Sequence, residues 1–143
     1  MVANRQNMLF MFDECNIKYF EGKLLFPQFD LLHSYRICGY FHYTAGGWFD
    51  QMLYDPIILM TDYYDFTEQQ FVDIMVHEMI LYYLVYFGQD RRCKHGKKFQ
   101  EMAERLNGQY GLHIVTEVEL SQYKRREGTP SLSYWFVKKI YIT

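Results

Sequence analysis

The stretch that decides the fold runs from Thr67 to Asn107, TEQQFVDIMVHEMILYYLVYFGQDRRCKHGKKFQEMAERLN. Thr67, with Gln70 three residues on, reads as a capping box in which each side chain satisfies an orphan backbone amide of a new helix. Apolar residues then fill almost every position from Phe71 to Phe87, and Gly88 ends the run. A helix that is apolar nearly all round is a buried one, so its polar residues Asp73, His77 and Glu78 need reasons.

At the centre stands His77-Glu78-Met79-Ile80-Leu81. The His-Glu pair resembles the start of the metal-binding signature His-Glu-x-x-His. In that signature side chains four apart share a helix face, so two imidazoles grip one ion while the Glu beside them reaches its bound water. The position of the second histidine is taken by Leu81. A loop, Gln89 to Lys94, leads to His95-Gly96-Lys97-Lys98-Phe99, and Phe99, Met102, Ala103 and Leu106 recur at helical spacing. His95 lies one turn before Phe99 on the same face, which predicts two buried helices each aiming a histidine inward. A lone His on an apolar face is most simply a hydrogen-bonded core residue. Two of them, with Glu78 adjacent, keep a metal site in view.

With these motifs in order, the chain resembles the SprT-like (Spartan-like) family of zinc metalloproteases. That family pairs a His-Glu-Met-Ile-His type helix with a third histidine in a His-Gly-x-x-Phe segment. The resemblance extends upstream: FDECNIKYFEGKLL, Phe12 to Leu25, is similar to the family's first helix and its Tyr-Phe-x-Gly-x-Leu ending. Ser34-Tyr35-Arg36 followed by Gly39 resembles its Ser-x-Arg segment and nearby glycine. The likeness covers most of Leu9 to Ile114.

The resemblance implies zinc as cofactor, His77 and His95 as ligands, Glu78 as general base, and a protein or peptide substrate. Leu81 can hold neither metal nor water. It implies peptide-bond hydrolysis by a zinc-activated water, impaired or lost in this chain; the alternative is a non-catalytic module that keeps the cleft to bind protein or DNA. Asp73, one turn before His77, and Cys93, two residues before His95, are chemically able to replace the missing ligand. The blander readings are a solvated or supporting Asp73 and a loop thiol at Cys93. Leu81 itself sits well between Ile80 and Leu84, so the domain should fold with it and even gain stability.

The 143 residues suit one domain with one core, 7–114, followed by a basic extension, 115–143. No apolar run approaches the roughly 20 residues that cross a bilayer, and no signal peptide is evident. Cys15, Cys38 and Cys93 form neither a disulfide framework nor a Cys-x-x-Cys pair, and the expected compartment is the cytoplasm, with the nucleoid as a further location. No cysteine follows Cys93, so the cysteine zinc ribbon with which related SprT-like chains often end is absent from this tail.

The net charge of -2 hides an uneven distribution. Residues 1–87 carry 4 basic and 11 acidic side chains, whereas residues 88–143 carry 11 and 6. Any nucleic-acid face must lie in the second part. Arg91, Arg92, Lys94, Lys97 and Lys98 flank the His95 segment and Lys124, Arg125 and Arg126 follow, with Tyr123 and Trp135 able to stack on bases. A solvated basic face is the competing reading.

The remaining pattern predicts an α+β, zincin-like fold: an N-terminal helix, a small mixed or mainly antiparallel sheet, the buried His-Glu helix and a second His-bearing helix. Met8, Met11, Phe12, Cys15 and Tyr19 mark one face of the first helix, ended by Gly22 and Pro27. Strands are expected over Phe29 to His33, Tyr35 to Tyr43, and Pro56 to Met60 with Pro at its start. Trp48 to Leu53 could continue the sheet, and Leu112 to Val118 and Leu132 to Val137 could add strands. A substrate peptide would add a strand along the sheet edge beside the cleft.

Overall fold

The computed structural model describes residues 1–47, 52–92, 94–128 and 139–143. Helix α1, Arg5–Phe20, begins at Asn4, whose side chain caps Asn7 and is capped in return. It buries Met8, Met11, Phe12 and Cys15 as the spacing implies, while Tyr19 is only partly buried and Phe20 is buried in addition. The helix ends at Glu21 in the left-handed region, φ 55°. Asn16, buried on the same face, holds the chain that leaves the helix: its side chain donates to the Leu24 carbonyl (2.8 Å) and accepts from the Leu24 amide (3.1 Å). This clamp was not foreseen, because its partner is backbone and carries no residue signal.

Strands β1 (Gln28–Leu32), β2 (Ile37–Ala45) and β3 (Leu53–Thr61) follow, then a two-residue β4 (Tyr64–Asp65). Helix α2 spans Glu68–Tyr86 and α3 Lys97–Tyr110. Short strands β5 (Glu117–Glu119), β6 (Lys124–Arg125) and β7 (Lys139–Ile142) complete the described chain. The main sheet has the order β1-β3-β2-β7-β5. It is mixed: β2 runs antiparallel to β3 and β5 to β7, while β1 is parallel to β3 and β7 to β2. A two-stranded sheet joins β4 to β6. The α+β class is as the sequence implies.

Two boundaries differ from expectation. Pro56 does not open its strand; β3 begins at Leu53, and the register against β2 slips between His42 and Thr44, beside Asp55 at φ 50°. A bulge tolerates a residue without a ladder donor, which is why Pro can sit inside this strand. Residues 112–116 stay outside the sheet because side chains take up their backbone groups. Asn107 pairs with both the amide and the carbonyl of Ile114, and Asp73 accepts from the His113 amide. Only Glu117–Glu119 is strand. The segments expected at Leu132 to Val137 and at Trp48 to Gln51 lie outside the described residues, as do Trp135 and Cys93.

Helix α2 is the centre of the core. Its capping box is formed as read, with Thr67 accepting from the Gln70 amide and Gln70 accepting from the Thr67 amide. Gly88, φ 69°, turns the chain out at the other end. Phe71, Ile74, Met75, Met79 and Ile80 are wholly buried, as are His77 and Glu78. Strand β2 crosses α2 at Gly39, where an added Cβ would stand 2.8 Å from Glu78 Oε1 and 2.9 Å from Ile74 Cγ2. Such overpacking costs about 1–3 kcal/mol. Gly39→Ala is therefore expected to lower the unfolding free energy measured by urea titration by that amount, and an unchanged value would show that β2 and α2 can part freely.

Candidate metal centre

His77 and His95 meet inside the domain. Their Nε2 atoms are 2.9 Å apart and their rings stand at 70° to one another. The phenyl ring of Phe99 lies 4.8 Å from both imidazoles and fixes them from one side. His95 is brought in by the loop, two residues ahead of the first turn of α3, with Gly96 as the cap residue. The other nitrogen of His77, Nδ1, is 3.0 Å from the Val115 carbonyl. A carbonyl only accepts, so His77 carries its proton on Nδ1 and presents the lone pair of Nε2, and His95 donates to it from Nε2–H.

Val115 thus fixes the tautomer and orientation of His77, as a carbonyl partner does for any buried imidazole. A backbone carbonyl has no sequence signature, so this partner could not be read in advance. Burial, with His95 adding to it, lowers His77 to about 3, against the opposing pull of the Val115 bond. Burial lowers His95 as well.

Glu78 is the anomaly of the site. It is 0 % exposed, and among the described residues neither carboxylate oxygen has a hydrogen-bond partner. Its Oε1 lies 3.9 Å from His77 Nε2. Burial alone pushes its carboxyl well above the ordinary range. The next face residue, Leu81, is 1 % exposed and takes the position one turn beyond His77.

Asp73, one turn before His77, is taken up by hydrogen bonds of its own. Its Oδ1 accepts from the His113 amide at 3.0 Å and from Gln69 at 2.8 Å. Burial raises its carboxyl, and these bonds oppose the shift. No group of three or more His, Cys, Asp or Glu side chains among the described residues is arranged, as they stand, to hold an ion. Of the other histidines, His33 pairs with Asp62 at 2.8 Å and His42 stacks on Tyr40.

The zinc that the resemblance implies can be tested against these donors. Two nitrogens at 2.0–2.1 Å from one tetrahedral zinc stand roughly 3.3 Å apart, so the His77–His95 pair has nearly the spacing of two ligands. A catalytic zinc needs three protein ligands and an open position, and the third place holds a buried leucine. The residues present do not fit a catalytic zinc.

Beside the pair runs a groove of about 330 Å³ lined by Phe99, Gln100, Ile114, Val115, Thr116 and Glu117. Strand β5, an edge of the main sheet, starts two residues after Val115. The basic residues fall at the two ends of α2. Arg91, Arg92, Lys94, Lys97 and Lys98 follow its C-terminus, whereas Lys124, Arg125 and Arg126 lie on and after β6, which pairs with β4 just before its N-terminus. The 19 residues of α2 span roughly 28 Å at 1.5 Å per residue. Carboxylates accompany several of these cations: Arg92 with Asp90, Lys97 with Glu101, Lys124 with Asp65 and Arg126 with Asp62. Tyr123 does not offer a stacking surface; it is 8 % exposed, packed against Tyr64 and Phe66. No helix among the described residues is long and apolar enough to cross a membrane.

Searches of the curated proteins and of the solved structures each returned no match. The model of the SprT-like family matches residues 9–124, which takes in most of α1, the first strands, His77, His95 and Glu78. With well over half of its length matched, the chain belongs to the SprT-like family.

Proposed function

We propose that this chain is a metalloprotease-type domain of the cytoplasm, shaped to engage protein or peptide substrates, whose hydrolytic centre is impaired. The observation that carries the reading is Leu81, buried at the position where the third ligand belongs. Zinc, when held by three ligands, supplies a water activated for attack on a carbonyl. Here His77, oriented by Val115, and His95 supply two donors only, and Leu81 excludes water from the third place. Without that water no hydrolytic step falls to Glu78. What remains usable is the groove along Phe99 and Val115, with the β5 edge beside it, where an extended peptide would pair main chain to main chain.

A second reading, a module that holds protein or DNA without cutting it, is favoured by the exposed Lys94 and Lys98 that follow the C-terminus of α2. Incubation with denatured protein substrates and added zinc is expected to give no cleavage above background. Cleavage that needs metal and disappears in Glu78→Gln would overturn the impairment. DNA binding that weakens steeply with salt while cleavage stays absent would select the second reading.

A further inference from the structure

Asp73 is the polar residue of the buried helix that the histidine pair does not use. Its two hydrogen bonds, from the His113 amide and from Gln69 Nε2, both fall on Oδ1, and Oδ2 has no such partner among the described residues. Asp73 lines a cavity of about 250 Å³ to which none of His77, Glu78 and His95 contributes. Gln69, Gln122 and Tyr123 add polar atoms beside the carboxylate, and Val115, Val118 and Ile142 form an apolar wall. Gln69 has spent its amide nitrogen on Asp73, so its oxygen is left to accept. Gln70 holds the Gln122 carbonyl at 2.8 Å, which pins that side of the cavity to α2. Among the described residues of the lining there is no Lys, no Arg and no second carboxylate. The cavity therefore offers one negative charge, several acceptors and a dry wall.

The complement of such a lining is a cation with several donors and an apolar body. Hydrogen bonds from a charged donor to a carboxylate are roughly twice as strong as neutral ones, and Asp73, half-buried, has one oxygen to give. A guanidinium fork is matched to both oxygens of a carboxylate, whereas an ammonium is a compact charge whose three donors rotate to separate acceptors. Here the acceptors are separate: Asp73 Oδ2, the Gln69 oxygen, and the side chains of Gln122 and Tyr123. We propose that this cavity binds a primary ammonium group on a short hydrocarbon stem, with the ammonium at Asp73 Oδ2 and the stem along Val115, Val118 and Ile142. Pockets for drug-sized ligands run from about 300 to 1,000 Å³, so the smaller volume suits a free alkylamine or a single lysine side chain of a peptide. The site goes beyond the impaired centre and does not depend on it.

The test is an NMR titration of the full chain, labelled with nitrogen-15 and held at neutral pH and constant ionic strength, with n-butylammonium. Saturable amide shifts are expected at Gln69, Asp73, His113, Val118 and Gln122, with a Kd on the order of 1 mM for so small a ligand. Asp73→Asn keeps the acceptor for the His113 amide and puts a donor in place of Oδ2, so it should weaken binding at least about tenfold, the worth of one charge-assisted bond. Val118→Phe, which fills the cavity from its apolar wall, should abolish binding. Butylguanidinium should bind at least about threefold more weakly than butylammonium, and butyrate not at all. A lysine capped at both ends, run beside the amine, identifies the source: binding as tight or tighter assigns the site to a peptide lysine, and weaker or no binding assigns it to a free amine. No saturable shift at these residues, butyrate or butylguanidinium binding as well as butylammonium, or an affinity unchanged in Asp73→Asn would each overturn the assignment. The shifts of the parent chain give a readout that needs no variant to fold. Peptide cleavage by the parent bears on the impaired centre alone, so the two ideas fail separately.

Discussion

Leu81→His is expected to convert this domain from a poor zinc binder to a chain that purifies with one zinc and holds it at least about 100-fold more tightly than the parent. Structural zinc sites are worth about 10–16 kcal/mol in total, or roughly 3 kcal/mol for each of four ligands, and every 1.4 kcal/mol is tenfold in affinity. The geometry for the gain is in place. Residue 81 follows His77 by one turn on the same face of α2, His95 already stands 2.9 Å from His77, and Val115 fixes the tautomer of His77. The same substitution should weaken the metal-free chain. An imidazole would replace a leucine that is 1 % exposed, and a buried polar group without a partner costs about 1–3 kcal/mol. The two effects separate in one experiment, thermal unfolding with zinc and with chelator. Leu81→His should melt below the parent in chelator and above it in zinc. A variant that melts alike in both conditions would show that residue 81 does not face the histidines.

The second large effect is on the pH dependence of stability, where His77 and Glu78 act in opposite directions. Unfolded, His77 takes a proton near 6.5, but folded it does so only near 3. In that window the unfolded state binds more protons, so stability falls as pH drops from 6.5 towards 3, by about 1.4 kcal/mol per unit. His95, also lowered, adds to the acid side. Glu78 is raised from 4.5 by burial, so the folded state keeps its proton after the unfolded state has lost it. Its contribution is fully present below 4.5 and is lost as pH rises towards the folded value. Glu78→Gln keeps the shape and removes the ionisation. The variant should match the parent closely near pH 4 and become progressively more stable than it from about pH 4.5 upward, by about 1.4 kcal/mol per unit until the folded carboxyl ionises. Urea unfolding of both chains between pH 4 and 9, in chelator, measures the gap. Curves that run parallel would mean that Glu78 is already neutralised by a partner.

These expectations rest on two adjacent residues that the sequence singled out and on an environment that it did not describe. The capping box at Thr67, the apolar run that makes α2 a buried helix, the stop at Gly88 and the inward aim of His77 and His95 were all legible, because helical periodicity and capping are local properties of consecutive residues. That Leu81 stands where the His-Glu-x-x-His pattern has its second histidine was legible for the same reason, since the four-residue spacing places it. Sheet boundaries were less legible. Pro56 inside β3 depends on a bulge opposite β2, and the irregular course of residues 112–116 depends on Asn107 and Asp73 taking its backbone groups.

The sequence by itself therefore determined the family, through motifs in their order along the chain, the α+β class and the meeting of His77 with His95, since these are carried by residues close together in the chain. Tertiary structure alone decided what those side chains meet: the Val115 carbonyl on His77, the closeness of Gly39 to Glu78, the carboxylate left without a partner, and the parting of the basic residues to opposite ends of α2. The contacts among these join residues 38 to 61 positions apart in the chain or use backbone atoms common to every residue. Such contacts are made by packing, and no local pattern records them.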